Sequence, residues 1–277
     1  MNPAKIKFLK KKANQIRKLI IKMLSRAGSG HPGGSLSCAE IITCLYFEVM
    51  RHNPKDPNWP ERDRFHLSKG HACPAWYSAL SLAGYFEEKH LFTLRRLGSI
   101  LQGHPDRRTP GVEVASGSLG QGLSVALGMS LALRLDKRDS RVYCLMGDGE
   151  IQEGNIWEAA MASAHFKVDN LCGIVDYNRF QIDGRIEKIM NIEPLVNKWE
   201  SFGWHVVQAD GHNIEELLEA FGEAKQIKGK PTVIIAHTVK GKGVSFMEHV
   251  VDFHGRAPTK EEEKIALKEL EDLEGFI

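Results

Sequence analysis

The sequence lacks the marks of several protein classes. None of its five cysteines, at positions 38, 44, 73, 144 and 172, forms a Cys-x-x-Cys pair, and they fall in apolar or helical contexts. A thiol redox motif and a disulfide framework are therefore not expected, and the cysteines read as reduced packing residues of a cytoplasmic protein. No uninterrupted apolar stretch approaches the roughly 18 residues of a membrane span, and the basic start is not followed by the apolar block of a signal peptide. A net charge of +2 gives no electrostatic footprint for nucleic acid. There is no linker, internal repeat or low-complexity tract, so residues 1–277 are expected to form one domain. The twelve histidines include no His-x-x-x-His pair, which argues against a zinc site.

What is present is enough apolar material for a core, 42% of 277 residues, in alternating helical and strand patterns. Residues 3–27 carry Ile6, Leu9, Ala13, Ile16, Ile20, Met23 and Ala27 at helical spacing, with Gly28 as the stop. Lys7, Lys10, Lys11, Lys12, Arg17, Lys18 and Lys22 fall on the opposite face, expected to be solvated. A second helix is expected after Ser37, and a small-residue helix from Ser116 to Arg134, with Gly120, Gly122, Ala126 and Gly128 suited to close packing. Strands are expected at Arg141–Met146, Leu171–Val175, Trp204–Ala209 and Thr232–His237, a helix at Asn155–Phe166, and a charged surface helix at Lys260–Glu274. This alternation predicts an α/β fold, a doubly wound, mainly parallel sheet flanked by helices.

Two short motifs carry the chemistry. Gly147-Asp148-Gly149 ends one apolar run and, 26 residues later, Asp176-Tyr177-Asn178 ends another. Taken alone, a Gly-Asp-Gly triplet is commonly a turn. On adjacent strand ends, however, Asp148 and Asn178 would present two hard oxygen ligands, with a main-chain carbonyl, water and phosphate oxygens completing an octahedron suited to Mg²⁺. The glycines beside Asp148 let backbone approach a phosphate, and ligands of open α/β sheets bind outside the carboxyl ends of strands. His31, His71, His104 and His254 stand apart from the other histidines because each adjoins Gly or Pro in a loop.

The arrangement resembles the thiamine diphosphate signature, and further motifs are similar to those of transketolases, in transketolase order. They are Ser29-Gly-His-Pro-Gly-Gly-Ser35, Asp63-Arg-Phe-His-Leu-Ser-Lys-Gly-His71, Gly103-His-Pro105, Ser116-Gly-Ser-Leu-Gly-Gln-Gly122 and Phe253-His-Gly-Arg-Ala-Pro258. The resemblance runs from about residue 12 to residue 260. It implies the diphosphate-binding domain of a transketolase, with thiamine diphosphate and Mg²⁺ as cofactors and Ca²⁺ or Mn²⁺ as substitute ions.

It also implies roles residue by residue. His71 and His254 would contact the diphosphate and line the reacting centre, and His31 and His104 would bind sugar hydroxyls and move protons. Lys240 matches a lysine near cofactor and substrate. Gly117, Ser118 and Leu119 would contact the aminopyrimidine and thiazolium rings, with Ser118 departing from the proline of many relatives. Gly147, Asp148, Gly149 and Asn178 would hold the diphosphate and metal, and the Phe180 carbonyl would be a third metal ligand. Ile182 would pack on the cofactor, and Glu153 would form a shared-proton carboxylate pair at a subunit contact.

A full-length transketolase adds a pyrimidine-binding domain that carries the Glu activating the cofactor, and a further C-terminal domain. The resemblance therefore implies an N-terminal subunit, inactive alone, that joins a separate C-terminal subunit in an α2β2 assembly acting on sugar phosphates. Other readings stay open: a split thiamine enzyme for a modified or sulfonated sugar, the α chain of a 2-oxo acid dehydrogenase, or a regulatory cofactor-binding module.

Overall fold

A computed structural model describes residues 2–274, so the ends of the expected 1–277 unit lie outside the described residues. The first helix, α1 (Pro3–Ala27), starts where the Asn2 side chain accepts the Ala4 N–H at 2.9 Å and Pro3 presets the first turn. It ends where Gly28, at φ 67°, donates its N–H to the Leu24 carbonyl. Its apolar stripe is buried as the spacing requires, except that Ala27 is half-buried. Arg17 corrects the expected solvated face: it is 6% exposed, pairs with Glu40 at 2.6 Å and donates Nε–H to the Lys242 carbonyl.

The short helices α2 (Pro32–Ser37) and α3 (Ala39–Cys44) follow, and α3 runs into a π turn at Leu45–Val49, so the helix expected after Ser37 has two windings. Then come β1 (Arg64–Leu67), α4 (Cys73–Ala83), α5 (Gly122–Leu135), β2 (Val142–Gly147), α6 (Gly154–His165) and β3 (Leu171–Tyr177). A small hairpin, β4 (Phe180–Gln181) and β5 (Gly184–Arg185), leads through α7 (Ile186–Ile189) and α8 (Leu195–Ser201). The chain closes with β6 (His205–Asp210), α9 (Ile214–Gln226), β7 (Thr232–His237) and α10 (Lys260–Glu274).

Five strands form one all-parallel sheet in the order β1-β2-β3-β7-β6. Alternate side chains leave opposite faces, so Tyr143 and Leu145 enter a core beneath α1, α3, α4 and α9. Val142, Cys144 and Met146 enter a second core with α5, α6 and α8. Apolar cores on both faces explain why β2 and β3 read as continuous apolar runs, and they confirm the doubly wound arrangement. All five cysteines are free and buried in these layers. Among the described residues, no helix is long and apolar enough to cross a membrane.

Helix α5 begins six residues later than the small-residue pattern suggests. Gly117 and Gly120 have φ of 142° and 87°, outside the helical region, so 116–121 is a turn. The expected small-residue face also divides: Gly122 and Ala126 are buried, while Gly128 faces open space.

Candidate active site

The register places the two sequence motifs side by side. Gly147 at the end of β2 pairs with Asp176 in β3, so Asp148 and Asn178 leave neighbouring strands at the same edge. The strands flanking this pair add His71, in the loop just beyond β1, and Lys240, just beyond β7. These carboxyl ends open into a cavity of about 390 Å³. Every residue expected at the site borders it except Ser118, which is exposed on the outside of the turn that presents Gly117 and Leu119. Glu153 and Ile182 are exposed at its rim.

Three of the four loop histidines form a cluster. The ring centroids of His31, His71 and His254 lie 5.2, 5.6 and 5.3 Å apart pairwise. The fourth, His104, packs against Gly117, where an added Cβ would stand 3.0 Å from the imidazole. Burial lowers the basicity of all four, and nearby positive charges lower it further. His31 is held at about 4, with Arg95, His104 and Lys240 adding to burial, and His254 at about 3, with Lys240 adding most. At neutral pH the imidazoles are therefore uncharged and can give or take a hydrogen bond. Lys240, 1% exposed, has its Nζ 2.8 Å from His254 Nδ1. Burial brings the lysine down to about 8, so at pH 7 it is an ammonium donating to Nδ1, which leaves the His254 proton on Nε2. The buried Nδ1 of His31 has no hydrogen-bond partner among the described residues, an atom prepared for a ligand.

The end of the cavity bordered by Asp148 has donors that suit a cation. Asp148 is 2% exposed, and burial, followed by the charge of Asp176, pushes its carboxyl up to about 7. Its oxygens accept main-chain N–H groups, from Gly149 at 2.8 Å and from Arg179. A buried carboxylate bonded only to neutral donors fits a divalent cation. Among the described residues there is no cluster of three or more His, Cys, Asp or Glu side chains around it. The available donors are one carboxylate, the carboxamide of Asn178 and the Phe180 carbonyl, which suits a hard ion that keeps water and phosphate ligands, as Mg²⁺ does.

Sequence reasoning misses two residues central to this arrangement. Asp176, fully buried, accepts hydrogen bonds from Lys69 Nζ, Ser37 Oγ at 2.6 Å, Asn178 Nδ2 at 2.9 Å and Thr238 Oγ1. Because a carboxylate only accepts, it fixes the Asn178 amide with Nδ2 inward and leaves Oδ1 to receive the Phe180 N–H or a cation. Lys69, 2% exposed, also donates to the Gly34 carbonyl at 2.7 Å and so ties the β1 loop to α2. Both lie inside motifs that draw the eye to a neighbour, Lys69 beside His71 and Asp176 beside Asn178.

Comparison with known proteins agrees with this geometry. Residues 9–274 match the family described as transketolase, thiamine diphosphate binding domain. The chain is 48% identical to the 6-deoxy-6-sulfo-D-fructose transketolase subunit SqwG of Clostridium sp. (strain MSTE9), over 95% of this chain and 96% of that one. It is 42% identical to an apulose-4-phosphate transketolase subunit of Phocaeicola vulgatus, over 96% of this chain and 95% of that one. The crystal structure of transketolase from Campylobacter jejuni superposes with a TM-score of 0.91 at 37% identity, covering 99% of this chain and 43% of that one. The chain thus spans nearly the whole of the subunit relatives and less than half of the Campylobacter jejuni transketolase chain. With the two motifs joined at the strand ends and the family match running through almost every residue, the chain belongs to the transketolase family, as its thiamine diphosphate-binding domain.

Proposed function

We propose that this chain is the N-terminal subunit of a two-subunit transketolase. It would bind thiamine diphosphate and Mg²⁺ and, with a C-terminal subunit carrying the pyrimidine-binding domain and its Glu, move a two-carbon ketol unit from a ketose phosphate to an aldose phosphate. The observation that carries this reading is the convergence of Asp148, Asn178 and four uncharged loop histidines on one cavity at the carboxyl ends of β1, β2, β3 and β7. The near end-to-end match to relatives named as transketolase subunits supports the two-chain arrangement, and we take residues 1–277 as one diphosphate-binding domain.

When bound, thiamine diphosphate supplies a thiazolium carbon able to break and remake the bond beside a ketose carbonyl. The chain's own residues do the rest. Asp148, Asn178 Oδ1 and the Phe180 carbonyl would hold Mg²⁺ against the diphosphate, with Gly147 and Gly149 admitting it closely. His71, with Nε2 3.6 Å from the position of a Cβ on Gly34, and His254, oriented by Lys240, would border the diphosphate and the reacting centre. His31 and His104 would hold the donor hydroxyls, take a proton from one and return it to the new alkoxide. Arg95, which acts electrostatically on both, would favour an anionic substrate.

The 48% identity to a subunit named for a sulfonated sugar favours a second reading of the same site, in which the anionic group is a sulfonate. Mass-spectrometric analysis of products, after offering the reconstituted pair fructose 6-phosphate or its 6-deoxy-6-sulfo analogue with an aldose phosphate, separates the two. Two-carbon transfer from the phosphate sugar supports the first reading, transfer from the sulfonate alone supports the second, and transfer from neither, with cofactor bound, refutes both.

A further inference from the structure

The carboxylate of Glu150 touches three separate segments of the cofactor cavity's wall. It is 3% exposed, in a single turn after Gly149. One oxygen, Oε1, accepts the Ser68 hydroxyl and the Gly120 N–H, the latter at 3.0 Å, and the other, Oε2, accepts the Gly147 N–H at 3.0 Å. Ser68 leads into Lys69 and His71, Gly120 ends the turn that presents Gly117 and Leu119, and Gly147 precedes Asp148. Gly120 in turn packs directly on Glu153, with only 2.6 Å between the position of a Cβ and the Glu153 Cβ. These three partners of Glu150 are all uncharged donors, so the carboxylate serves them as an acceptor.

We propose that Glu150 is a positioning residue that locks the β1 loop, the 117–120 turn and the end of β2 into one rigid cradle for thiamine diphosphate. The inference rests on the thiamine diphosphate reading of the site. A carboxylate is needed because both oxygens must accept. In Glu150→Gln, which keeps shape and volume, the amide NH₂ faces a main-chain N–H, so one of the two backbone bonds is lost. Holding binding groups in place before the ligand arrives is what a rigid cradle contributes to affinity.

The test compares wild type and Glu150→Gln by calorimetric titration of thiamine diphosphate with Mg²⁺, on the chain together with its C-terminal partner, and by amide hydrogen exchange on the chain alone. The expected result is an affinity loss of about tenfold or more, the scale of one hydrogen bond to a charged group, with faster exchange at whichever of Gly120 and Gly147 faces the new amide and a thermal midpoint lowered by several degrees. Equal affinity, or unchanged exchange at both glycines, overturns the inference. Failure of the wild-type pair to bind thiamine diphosphate instead overturns the functional reading, a result distinct from either. Should Glu150→Gln not fold, Ser68→Ala removes one donor to the carboxylate and is expected to weaken binding by about tenfold, again the scale of one hydrogen bond to a charged group, and unchanged affinity there overturns the inference.

Discussion

Replacing Lys69 by Met should be among the most damaging single changes to this domain, although it preserves an apolar stem of similar length. Lys69 is 2% exposed and Asp176 fully buried, and their charges sit next to Asp148. Burial acts against both ionised forms, but their mutual attraction and the hydrogen bonds from Ser37 and Thr238 outweigh it, leaving Asp176 below the usual carboxylate range and Lys69 above the usual amine range. With its folded value depressed, Asp176 contributes stability that is complete above the unfolded carboxylate value and lost as pH falls through the folded one. Lys69→Met strands a buried carboxylate beside a second one. Removing one partner of a buried pair costs about 3–5 kcal/mol. At about 2–4 °C per kcal/mol for a chain of this size, the midpoint should fall by about 6–20 °C. The stranded Asp176 now resists ionisation, so its folded value rises above the unfolded one and the deficit should shrink as pH is lowered toward 5. Adding Asp176→Asn removes the stranded charge. The new amide can keep its oxygen toward Ser37 and Asn178 and turn its NH₂ to Thr238, whose hydroxyl is free to accept, so the double variant should regain about 2 kcal/mol or more. Calorimetric melts of wild type, both single variants and the double variant complete the cycle. A Lys69→Met midpoint within about 2 °C of wild type, or a double variant less stable than Lys69→Met, would refute the reasoning.

Three further outcomes follow from the same geometry. Asp148 has a folded value of about 7, raised by burial and by Asp176, so it costs the cofactor-free chain stability as pH rises from the ordinary carboxylate range to about 7. Asp148→Asn should flatten that slope in thermal melts while abolishing the stabilisation by Mg²⁺ with thiamine diphosphate. Lys240→Met should lower kcat/KM of the reconstituted enzyme by about tenfold or more and remove a limb near pH 8 from its pH profile, the region where burial places the Lys240 ammonium. Gly120→Ala forces a Cβ into a residue at φ 87° and to within 2.6 Å of Glu153 Cβ. Backbone strain alone is worth about 1–2 kcal/mol, so its midpoint should fall by several degrees with weakened cofactor binding, which a melt and a titration will detect.

Much of the scaffold is legible in the sequence because local pattern and tertiary role coincide. Helix α1 announces itself by its 3,4 spacing, its Asn-Pro start and its Gly stop, and β2, β3 and β7 by short apolar runs before glycine or polar residues. Once β2 and β3 are neighbours, the meeting of Asp148 and Asn178 follows from register alone. The failures have physical causes. Strand β1 is four residues long, begins with Arg64, and borrows its stability from pairing with β2. Arg17 lies on a lysine-rich face, and only the distant Glu40 and the Lys242 carbonyl make its burial favourable. Lys69, Asp176 and Glu150 act through partners such as Gly120, Lys69 and Ser37, which lie 30, 107 and 139 positions away in the chain, beyond any local window of sequence. The start of α5 is misread because the small residues from 116 to 122 look alike on paper, whereas two of them need positive-φ backbone.

The most direct test of the proposal that the active site is shared between two chains is a coupled ketol-transfer assay on the purified chain with Mg²⁺ and thiamine diphosphate, run with and without the candidate C-terminal partner. Activity that arises only in the mixture, and that saturates with added partner, is the expected result. Robust transfer by this chain alone would contradict it.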